Sequence, residues 1–393
     1  MFLVFRDTSY SQGTGYCIMV FRLVSLLGLK SYGLVDARLM QDIVNTNIKD
    51  LSPKEIEKFV LDNDFKPFRA RQIAKWLYKK GAGSFEEMTD LSKDFRDLLE
   101  FSFSLNPSIE LVDELVSKDG TKKYLFKLSD GNQIESVLIP EKGRRTLCIS
   151  SQVGCALGCT FCMTGTVGKI RNLTPSEILD QYMMINQNNA ITNIVFMGMG
   201  EPLDNLQNLV KAINVFIDPN CLGLSPKRIT VSTSGLVPKI KELGKQVSVN
   251  LAVSLNAPRD ELRDEIMPIN KRYPIKELID ASVNFPVPNR KFLMFEYVLL
   301  KDVNDSDSDA HSLGRLLNSI KCKINIIPFN EAYPLPYETP SWDRVLRFQE
   351  ILISYKINVR IRKSRGTDIL GACGQLAAKY PPKTLKDSTQ AQN

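Results

Sequence analysis

The chain has 393 residues, of which 43% are hydrophobic and 24% are charged, a balance typical of a soluble globular protein with one large core and a smaller second domain. Its formal charge of +7 permits an anionic partner without requiring one. Eight cysteines, three of them within residues 155–162, exclude a secreted disulfide framework and indicate a metal site in a reducing, cytoplasmic compartment.

We interpret residues 1–45 as an N-terminal extension outside the native domains, with Met19 and Met40 as alternative starts. Its apolar run, Cys17–Leu29, contains Arg22 and is too short to span a bilayer. A signal peptide would export oxidation-sensitive thiols, so the sequence predicts neither secretion nor a membrane partner.

Residues 46–140 are predicted to form a small, mostly helical accessory domain. A helix is expected to begin at Ser52, because Ser52-Pro53-Lys54-Glu55 supplies a cap, a first-turn proline and a carboxylate three residues after the cap. Residues 67–80 predict a second helix with an apolar side. In and beside it lies the densest group of basic residues in the chain: Lys66, Arg69, Arg71, Lys75, Lys79 and Lys80.

Strand signals begin with a hairpin that closes this small domain. Two alternating runs, Lys122–Leu128 and Gln133–Ile139, flank the turn residues Asp130-Gly131. Seven short apolar runs then alternate with helical stretches: Thr146–Ser150, Ile191–Met197, Arg228–Ser232, Val249–Ser254, Phe292–Leu299, Lys323–Pro328 and Asn358–Lys363. This pattern predicts an α/β domain over residues 141–376, a partial (βα)6-type barrel with fewer units than a closed eightfold one, followed by a flexible tail over 377–393.

Polar and small residues follow the carboxyl ends of these predicted strands. A βα barrel carries its functional groups at the same ends. The segments are the cysteine cluster, Gly198–Pro202, Ser232–Gly235, Ser254–Asn256 and Asn330. We therefore expect them to meet at one end of the barrel.

The spacing Cys155-x3-Cys159-x2-Cys162 supplies three thiolates from one loop. A four-iron cluster held by three cysteines keeps one iron open for a ligand, which is what a reactive cluster needs. The alternative is a structural zinc site, but zinc requires four protein ligands, and no fourth cysteine or histidine stands at a matching spacing. The only histidine, His311, lies in a polar stretch.

These residues resemble the radical S-adenosylmethionine superfamily and, within it, the dual-specificity rRNA and tRNA adenine-C2 methyltransferases. The resemblance covers residues 54–376 and lies chiefly in three segments: Arg145–Cys155, Met197–Pro202 and Arg365–Leu376. It implies a radical S-adenosylmethionine barrel with one [4Fe-4S] cluster on Cys155, Cys159 and Cys162. It also implies a cofactor site made by Gly200, Glu201, Ser232, Ser254, Leu255, Asn256 and Asn330. The family usually has histidine where this chain has Asn256, so a backbone contact is expected there.

The resemblance further implies that Cys373 carries a methyl group taken from one S-adenosylmethionine. A second S-adenosylmethionine, cleaved at the reduced cluster, would yield the radical that activates this methyl group for addition to carbon 2. Cys148 would then release the product through a transient disulfide with Cys373, and Glu135 would accept a proton. By contrast Cys17, Cys221 and Cys322 are interpreted as small buried hydrophobes.

The implied partners are 23S rRNA at the peptidyl transferase centre, tRNA at adenosine 37, and an electron donor such as flavodoxin or ferredoxin; a monomer is expected. The basic residues of segment 67–80, with Arg144, Arg145, Lys169 and Arg171 near the site mouth, are candidates for phosphate contacts. The target adenine would have to be flipped out of its stack.

Three other functions remain open at this point. A sister enzyme that methylates carbon 8 of the same adenine shares the cluster and both extra cysteines. An activase that installs a radical on a protein needs neither Cys148 nor Cys373. A ribosome-binding factor with a structural cluster would not cleave S-adenosylmethionine.

Overall fold

The computed structural model describes residues 46–288 and 293–377. The predictions made for the N-terminal extension and for the tail after residue 377 lie outside the described residues. In the part that is described, no helix combines the length and the apolar character needed to cross a membrane.

The described chain alternates strands and helices after a helical beginning. The strands are β1 (Ile109–Val116), β2 (Lys122–Leu128), β3 (Gln133–Glu141), β4 (Arg144–Cys148), β5 (Gln152–Val153), β6 (Arg171–Asn172), β7 (Asn193–Phe196), β8 (Ile229–Thr233), β9 (Asn250–Ser254), β10 (Leu293–Leu299), β11 (Cys322–Pro328) and β12 (Asn358–Ile361). The α-helices are α1 (Pro53–Asp62), α2 (Phe68–Lys75), α3 (Lys93–Ser102), α4 (Met163–Val167), α5 (Pro175–Asn186), α6 (Leu206–Ile217), α7 (Val237–Gln246), α8 (Asp260–Ile266), α9 (Ile275–Val283), α10 (Asp307–Leu317) and α11 (Trp342–Ser354).

Ten strands form one sheet in the order β1-β2-β3-β4-β7-β8-β9-β10-β11-β12. From β4 onward every neighbouring pair is parallel, with a helical crossover between successive strands. The described residues contain no pairing of β1 with β12, so the sheet stays open. The predicted partial (βα)6-type barrel is confirmed, and each of the seven predicted runs holds one of its parallel strands.

The predicted hairpin is present as β2 and β3, with Gly131 at φ 82° in its turn. It continues the barrel sheet, because β3 pairs antiparallel with β4 and sets Val137 opposite Cys148. The sequence did not predict β1. All residues of this edge strand after Ile109 are exposed, so no buried alternation marks it.

The N-terminal helices dock on the barrel through a buried ion pair. The expected capping box is formed at the start of α1, where Ser52 and Glu55 bond to each other's backbone N–H. Just before α1, the Lys49 ammonium lies 2.5 Å from a carboxylate oxygen of Asp180 on α5. The other oxygen of Asp180 accepts the backbone N–H of Ser108 at 2.8 Å. One hydrophobic core extends from these helices through the barrel.

Candidate active site

The residue segments expected to meet at one end of the barrel lie at the carboxyl ends of successive parallel strands. The cysteine loop follows β4, Gly198–Pro202 follows β7, Ser232–Gly235 ends and follows β8, and Ser254–Asn256 ends and follows β9. Asn330 lies two residues beyond β11. Parallel strands bring these ends to one edge of the sheet, so the segments form one site.

The cysteine loop is fixed to the barrel at several points. The N–H of Cys155 donates to the Gly168 carbonyl at 3.1 Å, and the N–H of Thr160 donates to the Ile266 carbonyl at 3.1 Å. The hydroxyls of Thr160 and Tyr337 hydrogen-bond at 2.7 Å. Beneath the loop, a second small core contacts Cys159 and Cys162 and contains Phe161, Ala257, Leu262, Ile266, Met267, Leu300 and Phe329.

The three thiols are suited to iron ligation. Backbone N–H groups lower the pKa of two of the thiols: those of Thr164 and Gly165 act on Cys162, and that of Leu157 acts on Cys155. N–H groups close to the sulfurs stabilise thiolate ligands of iron–sulfur clusters. Desolvation raises the pKa of Cys155 to about 12 and raises the pKa values of the other two thiols, so metal binding has to supply the free energy that keeps them ionised.

These thiols need not converge on one point, since in a four-iron cluster each cysteine binds a different iron. Among residues 46–288 and 293–377, no three His, Cys, Asp or Glu side chains are arranged to hold a single metal ion.

Gly200 and Glu201 form a compact turn beside the cysteine loop. Gly200 has φ +101°, and a Cβ placed on it would lie 2.5 Å from the Cβ of Gln152, so only glycine fits. The buried Glu201 carboxylate accepts the N–H of Leu203 at 3.1 Å and that of Ser234 at 2.8 Å. Desolvation raises its pKa to about 7, against these hydrogen bonds. A cationic amino group would stabilise the ionised form of this carboxylate.

Asn256 is committed to contacts within the protein. It is buried at φ +59°, its side-chain oxygen accepts the N–H of Val298 at 2.8 Å, and its amide group donates to the sulfur of Met267 at 3.1 Å. Its carbonyl accepts from Asn304 at 2.8 Å. Asn256 therefore shapes the loop after β9, and both polar atoms of its buried side chain are engaged inside the protein.

Asn330 and the cysteine loop hold the segment around Cys373. The amide of Asn330 donates to the Cys373 carbonyl at 3.1 Å. The Gly374 carbonyl accepts the N–H of Met163 at 2.8 Å, and Gly374 has φ +85° with the Phe161 carbonyl 3.3 Å from an added Cβ. These contacts place Cys373 next to the residues that follow Cys162.

The β1–β2 turn holds the same segment from the opposite side. The Asp368 carboxylate accepts the Ser117 hydroxyl at 2.6 Å and the N–H of Lys118 at 3.2 Å. Asp119 accepts the N–H of Gly366 at 3.1 Å. Residues 366–377 are thus clamped between the edge hairpin and the cysteine loop.

Cys148 and Cys373 are neighbouring free thiols with different accessibility. Cys148, at the end of β4, is buried, whereas Cys373 is exposed. Desolvation raises the pKa of Cys148 to about 12 and that of Cys373, which still lies among many protein atoms, to about 11. A negative charge on Cys373 raises the pKa of Cys148, and the positive charge of Arg362 lowers the pKa values of both thiols. Arg362 is thus a cation near both thiols; the sequence pattern placed it only within the predicted strand run Asn358–Lys363.

Glu135 is a buried ion-paired carboxylate. One oxygen lies 2.9 Å from the Lys123 ammonium, and the other accepts the N–H of Ala377 at 2.9 Å. Lys123 also reaches the Leu370 carbonyl at 3.4 Å. The pair therefore touches the segment of Cys373 on both sides, a link between residues far apart in sequence that no local pattern signals.

The expected basic surface is only partly available to a ligand. Lys66, Arg71 and Lys75 are exposed, while Lys80 stacks on Trp76. Two cations expected at the site mouth are ion-paired: Arg171 binds Glu177 and Asp130, and Lys169 binds Asp204. The other two, Arg144 and Arg145, are exposed, so the positive charge of the expected surface that remains available lies at these two residues and around α2.

Comparisons with known proteins agree with this geometry. Residues 149–313 match the model of the radical SAM superfamily, and residues 46–104 match that of the ribosomal RNA large subunit methyltransferase N-terminal domain. The chain is 51% identical over 342 residues to the dual-specificity RNA methyltransferase RlmN of Geotalea uraniireducens, covering 87% of this chain and 99% of that protein.

Two further proteins are similar over most of the chain. The RlmN of Geobacter sulfurreducens is 53% identical, covering 85% of this chain and 92% of that protein. The crystal structure of a radical SAM methyltransferase from Sphaerobacter thermophilus is 41% identical, covers 85% of this chain and 100% of its own, and superposes with a TM-score of 0.77.

Proposed function

Because the chain belongs to the RlmN family of radical S-adenosylmethionine RNA methyltransferases, we propose that it methylates carbon 2 of adenosine in two RNAs. The two substrates are 23S rRNA, at the peptidyl transferase centre, and tRNA, at adenosine 37. The enzyme uses a [4Fe-4S] cluster and S-adenosylmethionine. When bound, these two groups supply the methyl group and the radical that the reaction needs, and two S-adenosylmethionine molecules are consumed per turnover.

The cluster is assigned to Cys155, Cys159 and Cys162. Two features support this assignment: their loop is anchored on α8 and Tyr337, and nearby backbone N–H groups lower the pKa values of Cys155 and Cys162. Glu201, with Gly200, receives the amino group of S-adenosylmethionine, which pairs with a carboxylate otherwise buried among neutral donors. Ser232, Ser254 and Leu255 lie along the neighbouring strand ends and take the nucleoside part. Asn256 and Asn330 act mainly by holding the loops, since both are engaged inside the protein.

Three observations support the methyl-carrier role of Cys373. Its thiol is exposed, its backbone is held beside the cysteine loop, and Cys148 lies near it at the end of β4. Because the Cys373 thiol is exposed, a methyl donor can reach it. The buried Cys148 is shielded from that reaction and remains a free thiol that can displace the RNA adduct by forming a disulfide with Cys373.

The RNA approaches across the helices of residues 46–140, which we treat as the accessory domain beside a catalytic domain of residues 141–376. Lys66, Arg71 and Lys75 lie exposed on or beside α2 and provide charge for phosphates. We expect the enzyme to act as a cytoplasmic monomer that receives electrons from a flavodoxin or ferredoxin.

The test is anaerobic incubation of the reconstituted enzyme with methyl-labelled S-adenosylmethionine and either RNA, followed by nucleoside mass spectrometry. Label in 2-methyladenosine supports the proposal. Label in 8-methyladenosine instead would identify the carbon-8 enzyme, which the names of the relatives do not favour. Cys373→Ala should lose all product, whereas a protein-radical activase would tolerate it.

A further inference from the structure

Arg263 of α8 is a cation enclosed in the barrel. Its side chain is 0% exposed, and in the described chain its guanidinium bonds to neutral oxygens instead of a carboxylate. The acids on the same helix, Asp260 and Asp264, bind the amide of Asn270. Asp260 and Asp264 act on the charge of Arg263 from beyond Asn270, without a direct contact. Burying a charge that has no contacting counter-charge costs several kcal/mol, so an anion beside Arg263 would stabilise it.

The guanidinium joins two strand ends of the site. It donates to the Ser234 carbonyl at 2.7 Å, beyond β8, and to the carbonyls of Ser254 at 3.0 Å and Leu255 at 2.9 Å, at the end of β9. These segments include or adjoin the residues assigned to the nucleoside. Arg263 therefore fixes the spacing between the two loops.

The same residue faces the cysteine loop. Ser234, whose carbonyl binds Arg263, also lies beside Cys159 and lowers the pKa of its thiol. The positive charge of Arg263 lowers the pKa of the Cys159 thiol. Helix α8 also contacts the cysteine loop, because the Thr160 N–H donates to the Ile266 carbonyl. Leu262 and Ile266, on either side of Arg263 in α8, pack in the small core that Cys159 joins. A cluster held by three thiolates carries net negative charge, and it would lie beside this cation.

We propose that Arg263 is a positioning residue whose buried charge serves as the counterion of the iron–sulfur cluster and favours its one-electron reduction. The inference rests on the proposed assignment of Cys155, Cys159 and Cys162 to the cluster. Adding an electron makes the cluster more negative, so a nearby fixed cation raises its reduction potential, as do hydrogen bonds to its sulfurs.

The test compares Arg263→Lys with Arg263→Gln. Both variants lose the fork of hydrogen bonds to the strand ends, but only lysine keeps the charge. Each protein is reconstituted with iron and sulfide, titrated with dithionite, and followed by the electron paramagnetic resonance signal of the reduced cluster. We expect the glutamine variant to be at least tenfold harder to reduce than the lysine variant, a shift of about 59 mV to more negative potential. Equal potentials in the two variants, or the opposite order, would overturn the proposal.

If neither variant takes up iron, Asp264→Asn replaces them, because it leaves Arg263 in place and keeps an acceptor for Asn270 but removes an acid that acts on the charge of Arg263. Its potential should be more positive than that of the unchanged protein and than that of the control Glu265→Gln, which changes an exposed acid of the same helix; an unchanged potential, or an equal shift in the control, rejects the inference. The iron and sulfide contents of the unchanged protein and of Cys159→Ala separate the two hypotheses. Absence of a four-iron cluster from the unchanged protein would defeat the proposed function itself.

Discussion

The Glu135 carboxylate and the Lys123 ammonium form a buried ion pair 2.9 Å apart on neighbouring strands, directly beneath the segment that carries Cys373. A carboxylate in this pair either accepts a proton in the reaction or only anchors the segment through Ala377. Replacing Glu135 by glutamine, a neutral amide, distinguishes these two roles. Glutamine keeps an acceptor for the Ala377 N–H but cannot take up a proton at neutral pH.

We therefore predict that the double variant Glu135→Gln, Lys123→Met folds, methylates Cys373 and yields little methylated RNA. Lysine is replaced as well because breaking a buried pair from one side leaves an unpaired charge and costs about 3–5 kcal/mol. Peptide mass spectrometry of Cys373 is the internal control. Normal amounts of methylated RNA would assign Glu135 to anchoring alone.

Changing Cys155, Cys159 or Cys162 to alanine should abolish the brown chromophore and all cleavage of S-adenosylmethionine. Three ligands are the minimum that holds a four-iron cluster with one open iron. Absorbance, iron content and a cleavage assay measure the loss. Cys322→Ala is a matched control, because this buried cysteine lies at the start of β11, away from the strand ends. A full cluster in any of the three variants contradicts the ligand assignment.

Cys148→Ala should bind the cluster, accept the methyl group on Cys373 and join it to RNA, but then fail to release the product. The variant lacks the thiol that attacks Cys373. A nuclease-sensitive shift on a denaturing gel would reveal the conjugate. The double variant Cys148→Ala, Cys373→Ala should show no shift, and release at the ordinary rate from Cys148→Ala would make Cys148 a packing residue.

Alkylation of the iron-free protein should depend strongly on pH and on Arg362. The thiolate is the reactive form, and the raised pKa of Cys373, about 11, leaves it almost fully protonated at neutral pH. Its rate with iodoacetamide should rise about tenfold per pH unit from pH 8 to 10, ahead of the buried Cys148. Arg362→Met should slow Cys373 at each pH, because Arg362 lowers its pKa. A rate that levels off below pH 9 would show an ordinary thiol.

Asp180→Ala should lower the free energy of unfolding by about 3–5 kcal/mol, because it leaves the buried ammonium of Lys49 without its counter-charge. Denaturant titration measures the change. The double variant Asp180→Leu, Lys49→Met should recover much of the loss, since it removes both charges. A small effect of the single variant would mean that Lys49 reaches solvent when its partner is removed.

Local sequence patterns predicted most of the barrel. Continuous apolar runs identified its parallel strands, and the capping box at Ser52 identified a helix start because it uses residues only three apart. The exposed edge strand β1 was missed because it lacks a buried face. Motif spacing likewise located the candidate site segments at the strand ends.

The contacts inside the site could not be predicted in this way. The bond from Ala377 to Glu135 spans 242 positions, and that from Asn330 to Cys373 spans 43, so both depend on how the whole sheet assembles. The same holds for Arg263, whose complete burial on a short helix of charged residues contradicts its local pattern. Its partners are backbone carbonyls, which carry no sequence signal.

The clamp on residues 366–377 also bears on the order in which the enzyme is made. Proteins emerge from the ribosome N-terminus first, so the barrel strands and the cysteine loop are synthesised before the segment containing Cys373. The β1–β2 turn and the cysteine loop, which hold that segment through Asp368 and Gly374, are by then already part of the growing chain. The carrier thiol is therefore the last part of the proposed catalytic centre to be added, and a nascent chain halted before residue 366 has a nearly complete barrel that cannot transfer a methyl group.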